Sequence, residues 1–179
     1  MPTRIVFFQR YRGSEPDWEA ELATSLTATR RIIDLLVTDH DLRNAGIVLV
    51  SSINAHLISG HLPLGYHIAK AGLIQMARHY AVVLGSRGIR INSVSPGTFL
   101  KPESQHTILE DPARRQFYET ITPLGRPGTA AEVAQVIDFL SGPLASFVTG
   151  QDLIVDGGVS LRFQETVPAH SPPNPAPLL

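Results

Sequence analysis

Two four-residue runs, Ile5-Val6-Phe7-Phe8 and Ile47-Val48-Leu49-Val50, are apolar without interruption. A strand with one wet face alternates polar and apolar residues, so runs of this kind belong to strands buried on both faces. Both read as central parallel strands. Between them Trp18, Leu22, Leu26, Thr29, Ile33 and Leu36 recur at steps of four and three, the single apolar stripe of a helix. Pro16 is tolerated in its first turn, and Ser14 followed by Asp17 resembles a capping box. A second helix is predicted from about Tyr66 to Leu84, stopped by Gly85 and Gly88. Ile89 to Ser95 forms the next strand, ended by Pro96-Gly97. Asp111-Pro112 and Thr129-Ala130-Ala131-Glu132 begin two more helices, the latter with Val133, Val136, Ile137 and Leu140 on one side. Leu153-Ile154-Val155 is the last strand. This order, β-α-β-α-β-α-α-β, predicts an α/β fold with a parallel sheet flanked by helices.

At 179 residues the chain holds one sizeable core, so a single domain is expected over residues 1–162. The rest, 163–179, reads as a Pro-rich tail that is extended unless a partner holds it. Fifteen basic against 16 acidic side chains give a net charge of -1, which argues against nucleic acid or an anionic membrane as the main partner. No cysteine is present, so disulfides and thiolate metal sites are excluded. The opening five residues carry no apolar signal region and no apolar run approaches ~18 residues. The expected location is cytoplasmic.

Tyr66 and Lys70 stand four residues apart in Gly65-Tyr66-His67-Ile68-Ala69-Lys70-Ala71-Gly72, and Ser51-Ser52 closes the apolar run upstream. On a helix that interval puts phenol and ammonium on one face. A free Tyr titrates near ~10, and a neighbouring cation favours its phenolate, so such a Tyr can exchange protons with an alcohol or a carbonyl. His56, His61 and His67 lie close together, but no acidic residue accompanies them in the sequence, and no metal site is expected. Gly60 and Gly65 have the spacing of a phosphate loop, yet Tyr66-His67 follows where Lys-Ser is required.

Five blocks stand in one order: Ile47-Val48-Leu49-Val50-Ser51-Ser52; Tyr66 to Gly72; Gly88-Ile89-Arg90-Ile91-Asn92-Ser93-Val94-Ser95-Pro96-Gly97; Pro123-Leu124-Gly125-Arg126-Pro127-Gly128; and Thr149-Gly150-Gln151 through Val155-Asp156-Gly157-Gly158. With them the chain resembles a short-chain dehydrogenase/reductase, close to the 3-oxoacyl carrier-protein reductase type, from about Trp18 to Gly158. The resemblance implies a Rossmann-like sheet and an NAD(P)-dependent oxidoreductase acting on a small carbonyl/alcohol pair. It makes Ser52 the hydroxyl that orients the substrate, Tyr66 the general acid/base, and Lys70 the group that lowers the Tyr66 pKa and holds the nicotinamide ribose of NAD or NADP. Pro96, Gly97, Thr98 and Phe99 then pack along the nicotinamide.

Three departures accompany it. The family opens with a Gly-x-x-x-Gly-x-Gly turn that lets pyrophosphate approach a helix N-terminus. That spacing does not occur in this sequence, nor does Gly-x-Gly-x-x-Gly, and residues 4 to 13 align with the family's fourth strand, so the chain is expected to lack the N-terminal dinucleotide-binding half. Gln9-Arg10-Tyr11-Arg12-Gly13 stands where Asn-Asn-Ala-Gly is common, and Ser25 stands where the family has a helical Asn. The Ser52–Tyr66 interval is one residue longer than usual, and Lys101 replaces a common cofactor-contacting Thr. Two functions are therefore carried forward: an oxidoreductase, and a non-catalytic subunit pairing with a full-length dehydrogenase. An unpaired edge at Ile5 to Phe8 predicts an oligomer, with itself or with such a dehydrogenase.

Overall fold

The computed structural model describes residues 3–100 and 110–162. In chain order the elements are β1 (Thr3–Phe7), α1 (Trp18–Leu22), α2 (Ala28–Thr38), β2 (Ala45–Val50), α3 (Leu64–Leu84), β3 (Arg90–Pro96), β4 (Phe99–Leu100), α4 (Pro112–Ile121), β5 (Gly128–Thr129), α5 (Ala130–Ser141) and β6 (Asp152–Val155). They divide into two compact units, Met1–Pro96 with Ala134–Ile154, and Gly97–Val133 with Val155–Leu179. The tail from Pro168 and Lys101 lie outside the described residues.

The first unit is built on a sheet of order β1-β2-β3-β6, in which β1 pairs parallel to β2 and β2 parallel to β3. The register places Ile5, Ile47 and Ile91 in one row and Phe7, Leu49 and Ser93 in the next. Because side chains alternate, this face collects Ile5, Phe7, Ala45, Ile47, Leu49, Ile89 and Ile91, and it packs on Ile33 of α2 and Leu73, Ala77 and Leu84 of α3. The opposite face carries Gly46 and Val48, and there the Ser141 carbonyl at the end of α5 comes so close that a Cβ on Gly46 would lie 2.1 Å from it. β2 is thus buried on both sides, as its unbroken apolar run requires.

β1 corrects the expectation of a second central strand. It lies at the sheet edge, with Val6 36% and Phe8 75% exposed, because β2 is its one neighbour in the described sheet. The stripe from Trp18 to Leu36 is also broken locally: Ala23–Thr27 is a π turn between α1 and α2. That turn buries Ser25 completely, and the Ser25 hydroxyl donates to Glu21 at 2.6 Å while Thr29 Oγ1 donates to the Ser25 carbonyl at 2.7 Å. The helix start is capped by Asp17, which accepts from the Ala20 N–H at 2.9 Å, and not by a box beginning at Ser14. Gly65 and Gly72 lie on the α3 face turned to this segment. A Cβ on them would sit 3.4 Å from the Trp18 ring and 3.0 Å from Leu26.

The second unit contains α4 and the two-residue parallel pair β4–β5, which the sequence pattern did not signal. Asp111 caps α4 by accepting from the N–H groups of Ala113 and Arg114. Thr129 and Glu132 form a reciprocal box at the start of α5: Thr129 N–H donates to Glu132 at 2.8 Å and Glu132 N–H to Thr129 Oγ1 at 3.2 Å.

Candidate active site

Tyr66 enters in the first turn of α3, its N–H donating to the Pro63 carbonyl at 3.1 Å and its ring half-buried. One turn later Lys70 is 3% exposed. Its ammonium stands 5.6 Å from the Tyr66 ring centroid and donates to the Val50 carbonyl at 3.0 Å. A buried ammonium is costly unless it is hydrogen-bonded, and the carboxyl end of β2 supplies an acceptor. Ser51 ties the same two elements together, since its hydroxyl donates to the Lys70 carbonyl at 2.7 Å and its N–H to the Val94 carbonyl at 2.7 Å.

Ser52 is 8% exposed and is the N-cap of a single 3-10 turn, Ile53–Ala55. Its hydroxyl accepts from the Asn54 N–H at 3.2 Å and its carbonyl from the Ala55 N–H at 2.9 Å. Ser51, Ser52, Tyr66 and Lys70 are therefore all held at the junction of β2 with α3. Pro96 is the buried last residue of β3. Gly97, Thr98 and Phe99 belong to the second unit: Gly97 N–H donates to the Val155 carbonyl at 2.9 Å, Thr98 accepts from Gly128 N–H at 3.1 Å, and Phe99 pairs with Gly128. At Gly97 a Cβ would stand 2.7 Å from that of Asp156, so the position has no room for a side chain. Thr98 and Phe99 line a cavity of about 100 Å³ with Arg126, Glu132 and Asp156.

Two features escaped the sequence reading. Arg10, on the loop after β1, sets its guanidinium carbon 5.4 Å from the Tyr66 ring centroid, so two cations face that ring. Only its place in the Asn-Asn-Ala-Gly region hinted at a role. The expectation that the histidines lack an acidic neighbour is also overturned. His56 Nε2 lies 2.8 Å from Asp152, which is 96 positions away and enters on β6. His67 is 7% exposed; its Nε2 accepts from Ser59 N–H at 3.1 Å, so its Nδ1 donates to the Pro63 carbonyl at 3.0 Å. Among the described residues, no group of three or more metal-ligating side chains converges. Nor is any helix among them long and apolar enough to cross a membrane.

A family profile described as Enoyl-(Acyl carrier protein) reductase matches residues 9–160. Over 118 residues the chain is 43% identical to an L-rhamnose 1-dehydrogenase (NAD(P)(+)) of Sphingomonas sp. (strain SKA58), covering 66% of this chain and 46% of that protein. Over 150 residues it is 35% identical to a 3-oxoacyl-(acyl-carrier-protein) reductase of Chlamydia pneumoniae, covering 83% and 59%. The crystal structure of an oxidoreductase (short chain dehydrogenase/reductase family) from Burkholderia thailandensis matches with a TM-score of 0.72 at 29% identity, covering 89% of this chain and 65% of that one. The chain spans about half the length of the relatives it matches.

Proposed function

We propose that this chain, which belongs to the short-chain dehydrogenase/reductase family, serves an NAD(P)-dependent oxidoreduction of a small carbonyl/alcohol pair. The observation that carries the reading is the buried Lys70 ammonium one helical turn from Tyr66, facing its ring. In this proposal Tyr66 exchanges the proton with the substrate oxygen, Lys70 is the cation that favours its ionised form, and Ser52 orients the substrate by hydrogen bonding. The names of the relatives, an L-rhamnose 1-dehydrogenase and a 3-oxoacyl-(acyl-carrier-protein) reductase, agree with chemistry on a carbonyl/alcohol pair.

The donor set fits the ribose end of a dinucleotide, since Lys70 offers an ammonium 5.6 Å from the centre of the Tyr66 ring. Pro96, Gly97, Thr98 and Phe99 are kept as nicotinamide-side residues on the strength of the resemblance alone. When bound, NAD or NADP supplies or accepts the hydride. Its pyrophosphate has no Gly-x-x-x-Gly-x-Gly turn in this sequence to receive it. The second reading is a non-catalytic subunit paired with a full-length dehydrogenase. The proposal includes a cytoplasmic location and an oligomeric state. An open groove of about 540 Å³ bordered by Leu26, Arg30, Gly72, Met76 and Tyr80 offers α2 and α3 as the surface for a second copy.

Tyr66→Phe tests the catalytic reading, because the ring keeps its packing while the proton path is lost. General acid–base groups contribute about 10²–10⁴-fold, so turnover should fall by that order. A loss of less than about threefold would show that Tyr66 is not the acid or base and return it to a packing role.

A further inference from the structure

We propose that Asp152 and His56 form a positioning pair that holds the Ser52 turn against the sheet, a role that rests on the reading of Ser52 given above. Asp152 begins β6 with its side chain 5% exposed. Both carboxylate oxygens are engaged. Ser93 Oγ donates to Oδ1 at 2.6 Å, Ser95 Oγ lies 2.9 Å from each oxygen, and His56 Nε2–H reaches Oδ2 at 2.8 Å. Ser93 and Ser95 alternate with their neighbours along β3, so they share a face with Ile91, which packs in one cluster with Leu73 of α3. The carboxylate therefore sits on the side of the sheet that α3 covers.

Withdrawing a carboxylate from water is unfavourable, and an apolar residue would fill such a strand position without that penalty. Here two serines and a histidine from two other segments converge on one acid. What the acid reaches through them is the turn after β2. His56 N–H donates to the Ile53 carbonyl at 2.9 Å and closes the 3-10 turn whose opposite end is Ser52. At that end Ser51 is fixed to the carbonyls of Val94 and Lys70. The segment from Ser51 to His56 is thus anchored twice, once beside Lys70 and once on Asp152. An isolated 3-10 turn has poor hydrogen-bond geometry and needs such support. A hydroxyl that must meet a reacting oxygen needs its geometry set in advance by the groups around it.

Amide hydrogen exchange of the full chain, followed by NMR at Asn54 and Ala55, tests the pair in the wild type, His56→Leu, His56→Gln and Asp152→Leu. The Gln amide nitrogen reaches about as far as imidazole Nε2 and restores the donor, whereas Leu does not. Charge-assisted hydrogen bonds are the strong ones, so both Leu variants should exchange at least about tenfold faster, while His56→Gln should stay within about threefold of wild type. Unchanged exchange in His56→Leu, or equally fast exchange in His56→Leu and His56→Gln, overturns the proposal. If Asp152→Leu does not fold, His56→Leu decides alone, since that side chain is 36% exposed and its loss leaves no buried cavity. Where Tyr66-dependent turnover is present, His56→Leu should lower kcat with little change in KM, and His56→Gln should restore it; a change confined to KM overturns the link to Ser52. The exchange measurement needs no turnover, so failure of the oxidoreductase reading and failure of the positioning pair give different results.

Discussion

Gly46 is fixed by what lies across from it. A methyl group there would stand 2.1 Å from the Ser141 carbonyl, which is backbone and has nowhere to retreat without moving the end of α5. Gly46→Ala should destabilise by roughly 1–3 kcal/mol, the usual cost of overpacking, seen as a lower denaturant midpoint at unchanged slope. Tyr80 is a second residue whose surroundings show in a titration. Burial and the hydrogen bond to Asp34, 2.7 Å long, raise its pKa from 10.0 to about 12. A folded-state value above the unfolded one stabilises at pH below the unfolded value and stops doing so as pH rises through the folded one. Stability from Tyr80 should therefore be full below pH 10 and fade toward about 12, and Tyr80→Phe should remove the component of the tyrosinate absorbance titration near that pH.

Among the elements, α5 depends on one acid at its start. Glu132 accepts from Arg126 at 2.6 and 3.0 Å and from the N–H and hydroxyl of Thr129, and these bonds lower its pKa from 4.5 to about 2, with Arg126 the largest cause. The sign is that of a depressed carboxylate: its contribution is present above pH 4.5 and lost as pH falls through about 2. A carbon-detected titration of the Glu132 carboxyl should place its midpoint far below that of an ordinary glutamate, and Arg126→Gln should move it upward. β2 is the element on which the core depends most. Leu49 is 0% exposed and packs in the cluster with Ile47, Ile91 and Leu73, so Leu49→Ala should cost about 2–5 kcal/mol by equilibrium unfolding.

For the whole molecule the open question is what meets β1. Among the described residues no strand pairs with its outer edge, beside which Val6 and Phe8 are exposed, and such edges pair with another chain or aggregate unless they are covered. Sedimentation at micromolar concentration should show an oligomer, and the amides of residues 5 to 8 should be protected in it. A clean monomer with freely exchanging amides there contradicts both. Without the glycine turn, the chain by itself should bind NADH or NADPH far more weakly than low micromolar, which isothermal titration measures directly.

The sequence by itself determined the elements and their class. Unbroken apolar runs at β2 and the stripe through Thr29 and Ile33 are local patterns, and each has one solution in which its apolar surface is buried. Tyr66 and Lys70 were legible as a pair for the same reason, because an i,i+4 interval on a helix is a distance. The edge position of β1 could not be read from its apolar run, which states that a strand prefers burial and not which neighbours it has; the expectation of an edge at Ile5 to Phe8 came from the family resemblance alone. The π turn at Ser25 escaped because one extra residue in a helical turn leaves the surrounding periodicity almost unchanged. His56 with Asp152, and Arg10 with Tyr66, join residues 96 and 56 positions apart, and no local pattern carries a distance that long. Those contacts were decided by the sheet register and by the packing of α3 on it. Tertiary structure alone brought together the groups that hold the Ser52 turn, because a hydrogen bond forms between atoms within about 3 Å of each other however far apart they stand in the chain.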